Sequence, residues 1–364
     1  MENKIRLYLD IHAIQTLPPS NINRDDTGSP KTALYGGVRR ARVSSQSWKR
    51  AIRTYFNENG IEANVGVRTL NVVDYIANKI IDKNNQVTME AAIKMVEDML
   101  NAVGIKLTKE HKVKALFFLG DEQANKLAEA AIKGLKDKNE LKEILNSNPS
   151  VDIALFGRMV ADDPSLNEDA SCQVAHAIST HAVQNEFDFY TAIDDLSPED
   201  SAGAGMLGNI EYNSSTVYRY ANIAIHELLG QLDSKESTIN TIKLFVEAFS
   251  NSLPTGKINT FANQTIPDAL VVTLREDRPI NAVSAFEEPV RSHEGFSKKS
   301  IVRLSEELKK AEKFVKKPLY SAYVSLEEVE CLKDYSEEKL SLEELKNNLG
   351  EVLTNKIVKI SEGE

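Results

Sequence analysis

The 364-residue chain reads as an α+β protein: one discontinuous domain carrying two excursions. Three observations predict this. A strand–helix unit opens the chain, a strand–helix–strand series returns after residue 210, and a long block of helical periodicity lies between them. In order, Ile5, Leu7, Leu9 and Ile11 alternate with Arg6, Tyr8, Asp10 and His12, the period of a half-buried strand. LPPSNINRDDTGSP (17–30) is loop-like, dense in Pro, Asn, Asp and Gly. Gly36-Gly37 marks a bend and VRRARV (38–43) a short strand. Ser44-Ser45 then opens a helix with hydroxyls available to cap it. Trp48, Ile52 and Tyr55 or Phe56 recur at helical spacing toward the core, and Asn59-Gly60 ends the element.

Residues 61–182 read as mostly helical. One stripe contains Ala91, Ala92, Met95, Val96 and Leu100. Another contains Leu127, Ala131, Leu135 and Leu141–Leu145, with Lys126, Lys133, Lys136, Lys138 and Lys142 beside it. From 183 to 210 a Phe/Tyr segment gives way to DDLSPEDSAGAGMLG (194–208), small and flexible. TVYRYANIAIHEL (216–228) alternates as a strand, and STINTIKLFVEAFSNSL (237–253) is a strong helix stopped before Pro254. ALVVTL (269–274) and NAVSAF (281–286) are strand candidates ahead of a charged helical C-terminal region, and no internal repeat is visible.

Lys and Arg number 44 against 54 Asp and Glu, a net charge of −10. No run approaches the ~18 apolar residues of a membrane span, and the N-terminus lacks a signal-peptide apolar block. Two cysteines, Cys172 and Cys331, cannot build a disulfide framework. The expected compartment is the cytoplasm, with no membrane partner. A net −10 by itself argues against nucleic acid, but the charge is segregated. Thr27–Asn57 contains no acid and seven cations (Lys31, Arg39, Arg40, Arg42, Lys49, Arg50, Arg53), leaving −17 on the other 333 residues. Val183–Tyr218 is the reverse, seven acids and no Lys or Arg. Residues 319–364 hold 11 acids against 5 lysines, as a solvated surface would.

SSQSWKRAIR (44–53) is the stretch from which chemistry can be argued. Backbone N–H groups at a helix start form a ready anion site. Gln46, Lys49 and Arg53, spaced i, i+3, i+7, line one face beside it. Arg40 and Arg42 project from the preceding strand, and Arg24 lies in the upstream loop. Such a set follows several phosphates without reading bases, so binding would be backbone-directed. An amphipathic surface helix with a favourable cap is the plainer alternative.

NRDD (23–26), LYGGVRRARVSSQSWKRAIR (34–53), LFGRM (155–159), AHAISTH (175–181), DFYTAIDDL (188–196), VYRYANI (217–223) and GKINTFAN (256–263) occur in order. This series is similar to the CasC family, the repeated backbone subunit of the type I-E CRISPR Cascade complex. The likeness extends to about residue 290, and the final stretch adds nothing to it. It implies a ferredoxin-like (RNA-recognition-type) palm over 1–57, inserted helical fingers over 58–182 and a β-hairpin thumb over 183–210. The palm resumes over 211–364, with a charged C-terminal extension. It further implies head-to-tail copies along a CRISPR guide RNA, other Cascade subunits as partners, and guide bases presented to a target DNA strand. By position, Ser44, Gln46, Lys49 and Arg53 would hold RNA phosphates, with Arg24 and Arg50 assisting. Met159 and Tyr190 would flank a displaced nucleotide, for which a thioether and an aromatic ring suit any base. The cation-free thumb acids would meet a neighbour's basic surface, and the lysines of 126–142 would meet target-DNA backbone.

Enzymatic alternatives carry less. Cys172-x3-His176-x4-His181 resembles a metal pattern, yet on a helix Cys172 and His176 share a face and His181 does not, so packing is the better expectation. The pairs Asp25-Asp26, Asp162-Asp163 and Asp194-Asp195 suit turns. Asp26 is kept apart, because related type III backbone subunits cut target RNA with an Asp in a comparable loop. The alternatives are therefore a metal-dependent, RNA-guided ribonuclease using Asp26, and an enzyme binding a phosphorylated small molecule. The leading expectation is a non-catalytic subunit with no cofactor and no metal.

Overall fold

A computed structural model describes residues 6–60, 63–192 and 206–362. The chain enters on β1 (Tyr8–Ser20), makes a hairpin of β2 (Thr32–Tyr35) and β3 (Val38–Val43), and turns into α1 (Ser45–Asn59). An insertion follows: β4 (Gly66–Thr69), α2 (Val72–Lys83), α3 (Met89–Val103), β5 (Phe117–Gly120), α4 (Asp121–Ile132), α5 (Lys138–Asn146) and α6 (Val151–Phe156). The chain returns through β6 (Cys172–Val174), β7 (Ala177–Ser179), β8 (Glu186–Ala192) and β9 (Met206–Ala224). Helices α7 (Ile225–Leu232), α8 (Lys235–Asn251) and α9 (Ile258–Phe261) precede β10 (Ala269–Arg275) and α10 (Ser297–Ala311). β11 (Tyr320–Ser325), α11 (Glu330–Lys333), β12 (Glu337–Glu338) and α12 (Leu342–Glu362) complete the described chain.

Among the described residues one mixed sheet runs β12-β11-β10-β1-β9-β7-β3-β2, with β6 and β8 also pairing to β9. Its pairs are antiparallel except the parallel β11–β12 contact. The α+β class is therefore present, built on a sheet covered on both faces. β1 shows why. Leu7, Leu9, Ile11 and Ala13 point to one face and pack with Ile52 and Phe56 of α1, Phe245 and Phe249 of α8, and Leu345 and Leu349 of α12. Ile14 points to the other and packs with Phe286 and with Ile301, Leu304 and Leu308 of α10. Each such fully buried Leu, Ile or Phe side chain contributes about 1.5–3 kcal/mol. The strand also buries Asp10 and His12 on the α10 face. Tyr220 donates to Asp10 at 2.7 Å, Ile280 N–H donates at 3.0 Å, and the Arg275 guanidinium stands 3.4 Å away, so the polar group is partnered rather than stranded.

The insertion encloses a core of its own, including Ile76 and Ile80 of α2, Val96 and Leu100 of α3, Leu127 of α4, and Leu141 and Leu145 of α5. Ala91 and Met95, expected in the α3 stripe, are exposed, and Met99 takes the inward position. Other elements depart from the sequence reading. NAVSAF forms a 3-10 turn over Ala282–Phe286 instead of a strand: Asn281 caps it through Val283 N–H, and Ala282 and Phe286, four apart, are both buried. The strand read through 216–228 ends at Ala224 and becomes α7. Residues 172–179, placed within the helical block, form β6 and β7 and join the large sheet, because β9 offers them a free edge. Asp194 and Asp195, read from sequence as part of a thumb, lie outside the described residues, as does Ile5.

Gly36 and Gly37 close the β2–β3 hairpin with φ of 59° and 78°, the left-handed region a two-residue hairpin turn demands. A Cβ on Gly36 would lie 1.6 Å from the Glu287 carbonyl oxygen, so the hairpin tip is packed against the 282–287 segment as no larger residue allows.

Candidate nucleic-acid interface

Ser44 is the N-cap of α1, in an extended conformation (φ −67°, ψ 146°), and its hydroxyl accepts from Ser47 N–H. Its own N–H donates to Asn23 Oδ1 at 2.8 Å, tying to the helix start the loop that follows β1, which begins at residue 21 because the strand continues through Pro18 and Pro19. Trp48, Ile52 and Phe56 are buried, which turns the remaining positions of α1 outward. No acid occupies the first turn, so its N–H groups and the helix dipole favour an anion there. Ser44 is nevertheless buried and already engaged, so it offers local geometry more than a free hydroxyl.

The cations of α1 fall into two sets. Lys49 and Arg53 face the base of the insertion: Lys49 Nζ lies 5.4 Å from the Phe156 ring centre, and the Arg53 guanidinium lies 4.9 Å from that of Phe118. Arg53 Nε is also 3.8 Å from Asp152 Oδ2. Asp152 is buried, accepting at Oδ1 from Ser150 at 2.7 Å and from Gly66 N–H at 2.9 Å. Burial pushes its carboxyl upward despite these bonds, and burial lowers the Arg53 guanidinium in spite of Asp152. Neither Arg53 Nε nor Asp152 Oδ2 makes a hydrogen bond, so the contact is charge against charge without a directed bond. Gln46 is exposed one turn nearer the N-terminus.

Arg50 faces away from that set, into an open groove of about 1080 Å³ between the 22–28 loop, α1 and the 251–258 segment. Arg24 and Lys257 also line it, as do Asp25, Asp26 and Glu58. Asp25 organises the loop. Its Oδ1 accepts from Thr27 Oγ1 at 2.7 Å, Thr27 N–H at 2.9 Å and Ser29 N–H at 3.0 Å, which holds the carboxyl below its usual range. Asp26 is exposed beside it. Lys257, within the GKINTFAN motif, had no role in the sequence reading. Its positive φ of 52° is a property of the backbone that no residue pattern announced.

Met159 is 81% exposed while its neighbour Arg158 is buried. Arg158 donates to the carbonyls of Leu166 at 2.9 Å and Leu145 at 2.8 Å, anchoring the loop from which Met159 projects. Tyr190 sits on β8, which with the first part of β9 forms an arm whose β8 residues are all exposed. Tyr190 pairs with Gly208, and a Cβ there would lie 2.5 Å from the ring, so this glycine is the space the tyrosine fills. Phe187, Phe189 and Leu207 share the opposite face of the arm, 69, 64 and 62% exposed. Glu186 and Asp188 lie on the Tyr190 face.

Two sequence assignments need correction. Arg40 does not reach an external anion. It is fully buried, donating to the carbonyls of Tyr35, Ser179, Phe286 and Glu287 at 3.1, 2.9, 2.8 and 3.2 Å. Arg42 is partly occupied by the Thr32 carbonyl at 3.3 Å and His176 at 3.3 Å. Cys172, His176 and His181 lie on and beside strands, not a helix. Cys172 is in the core, and His181 stacks on Phe296 with ring centres 3.7 Å apart while its Nε2 accepts from Thr216 N–H. His176 is exposed. Among the described residues no group of three His, Cys, Asp or Glu side chains is placed to share a metal ion, and no helix is long and apolar enough to cross a membrane. Lys142, one of the lysines of 126–142, is held within the insertion by Asp163 at 2.6 Å. Lys126, Lys133, Lys136 and Lys138 are exposed.

The fold and this surface define a class: an α+β protein with a helical insertion, a projecting two-stranded arm and a cationic helix facing the base of the insertion. The family model described as CT1975-like protein (Cas_CT1975) matches residues 9–352, and the chain belongs to that family, a CasC-type surveillance-complex subunit as its motifs indicated. It is similar to a chain of a solved "CRISPR RNA-guided surveillance complex, pre-nicking", with 31% identity and a TM-score of 0.84 over 95% of this chain and 100% of that one. A chain of a second "CRISPR RNA-guided surveillance complex" is 28% identical, with a TM-score of 0.76 over 95% of this chain and 99% of that one. No curated protein sequence matches it.

Proposed function

We propose that this chain is a non-catalytic guide-RNA-binding backbone subunit of a type I-E Cascade complex. Copies assemble head to tail along the RNA in the cytoplasm and leave guide bases free to pair with a target DNA strand. The observation that carries this is the full-length likeness to chains of RNA-guided surveillance complexes, 31% identical over 95% of this chain. The local chemistry agrees with it: an acid-free helix start, Lys49 and Arg53 on one side, and Arg50 with Arg24 on the other. In this reading the large sheet, β6 and β7 included, is the palm, the rest of the 58–182 region supplies the fingers, and the β8–β9 arm is the thumb.

Each residue then has a physical role. Ser44 holds the helix start, and Gln46, Lys49, Arg50, Arg53 and Arg24 meet successive phosphates. Their charges act on the backbone, so binding is independent of base identity. Met159, on its anchored loop, and Tyr190, on the arm, flank a displaced nucleotide and occupy a gap in the base stack. Glu186 and Asp188 repel phosphate on the arm face that carries Tyr190, so the arm sets spacing while the palm supplies affinity.

Co-expression with a CRISPR array, followed by sizing and sequencing of the RNA that co-purifies, tests the proposal. Guide RNA of uniform length on a multimeric particle is the expected result. A monomer free of RNA overturns it and favours the small-molecule alternative.

A further inference from the structure

A second cationic feature lies across the sheet from α1. β1 separates the two: Ile11 and Ala13 pack with Ile52 and Phe56 of α1, whereas Ile14 packs with Ile301, Leu304 and Leu308 of α10. On the outer side of α10, Arg291, Lys298, Lys299 and Arg303 surround a hollow of about 300 Å³ with Val290 and Val302 in its wall. Glu306 is the single acid lining it, and it is shared with Lys310, 3.9 Å away.

The charge balance along this segment is uneven. Toward its C-terminal end three of the lysines are compensated: Lys309 by Asp334 at 3.2 Å, Lys310 by Glu306, and Lys317 by Glu312 at 3.9 Å. Among the described residues none of the four cations at the hollow has a carboxylate within ion-pair distance. Lys299 donates to the Arg291 carbonyl at 3.2 Å and Arg303 to the Glu288 carbonyl at 2.5 Å, neutral oxygens that position the charges without cancelling them. The first turn of α10 contains no acid and no side-chain cap, so the helix dipole adds to the same positive potential.

We propose that this hollow binds the phosphodiester backbone of a single-stranded nucleic acid, at a site separate from the α1 surface. A polyanion suits it better than an acidic protein segment. Exposed lysine–carboxylate pairs contribute only about 0–1 kcal/mol each, whereas each cation set against a polyphosphate also releases condensed counterions. The exposed aliphatic side chain of Val302 accepts the sugar edge between phosphates. Two strands have this chemistry: a distant part of an RNA held at α1, or a DNA strand passing behind the sheet.

The test uses the full chain with whatever RNA it retains on purification, comparing wild type with Arg291→Gln/Lys298→Gln/Lys299→Gln. Arg303 is left in place because it holds the Glu288 carbonyl. Labelled oligothymidylate and oligouridylate are titrated separately across a salt series. Three lost contacts flatten the log–log salt slope by roughly 2, which is roughly 50-fold weaker binding at 0.15 M salt. Melting temperature and retained RNA stay as in wild type. Loss with oligothymidylate alone assigns the site to a DNA strand, and loss with both probes to either backbone; each outcome supports the proposal. An unchanged slope with both probes overturns it, as does loss of self-association at an unchanged slope. If the triple variant does not fold, Lys298→Gln alone shows a step of roughly 0.7. The oligothymidylate slope stays readable in protein that retains no RNA, so failure of the α1 assignment and failure of this one are distinguishable.

Discussion

Replacing Lys49 and Arg50 together by alanine weakens RNA binding without unfolding the protein. Arg50 is exposed on the groove, and Lys49 Nζ lies over the Phe156 ring, 5.4 Å from its centre. Among the described residues neither makes an ion pair, so removal strands no buried charge. If each neutralises one phosphate, the two together supply about 1.4 of the log–log salt slope, and their loss weakens binding roughly 14-fold at 0.15 M salt. Arg53→Ala provides the contrast. Its guanidinium also faces the buried carboxylate of Asp152 at 3.8 Å, so its loss costs about 1–3 kcal/mol of stability as well as binding. Fluorescence anisotropy with labelled oligouridylate over a sodium chloride series reads the slope, and denaturant unfolding reads the stability. A Lys49→Ala/Arg50→Ala protein with the wild-type slope refutes the phosphate assignment. One that unfolds more easily by several kcal/mol refutes the claim that these side chains are free of the fold.

Three further outcomes follow from particular contacts. Arg40→Ala leaves buried carbonyls unpaired, at about 1–3 kcal/mol for each one orphaned, so it lowers the denaturant midpoint strongly while any protein that folds keeps its salt slope. His12, buried and held down to about 3, is neutral in the fold while the unfolded chain protonates at 6.5. Its contribution is thus complete above about 6.5 and is lost as pH falls toward 3, and His12→Gln removes this from a pH series of unfolding free energies. Asp10, pushed up to about 7 by burial, acts with the opposite sign over part of the same range, so the difference between variant and wild type is the quantity to read. Asp26→Ala leaves complementary RNA as intact as wild type does with Mg²⁺ present. Mg²⁺-dependent cleavage abolished by that substitution moves the assignment to a ribonuclease.

What was legible in the sequence was whatever repeats locally. α1 was readable because Trp48, Ile52 and Phe56 recur on one face, Ser44 precedes them and Gly60 follows. β1, β3, α8 and β10 were readable for the same reason. Features that depend on distant partners were not. Arg40 and Arg39 look alike in VRRARV, yet Arg40 is buried because Ser179 and Phe286 arrive from 139 and 246 residues away. Cys172 to Ser179 suggested a helical continuation because nothing local reveals that β9 has an edge to offer. The same limit applies to the 281–286 segment, where period-two and period-four burial cannot be told apart over six residues. For the site, the α1 cations were visible as a charge pattern, but their division into an insertion-facing set and a groove-facing set came only from the packing. The hollow on α10 was not legible because its few cations lie between the acids Glu287, Glu288, Glu306 and Glu307 in sequence, and only the fold brings Arg291 beside Lys298, Lys299 and Arg303.

The sharpest test of the central claim is the native mass of the particle obtained by co-expression with a CRISPR array. The expected result is several copies of the 40.5 kDa chain on one guide RNA, with both copy number and retained RNA falling together in Lys49→Ala/Arg50→Ala. A single 40.5 kDa species without RNA, unchanged by that substitution, contradicts it.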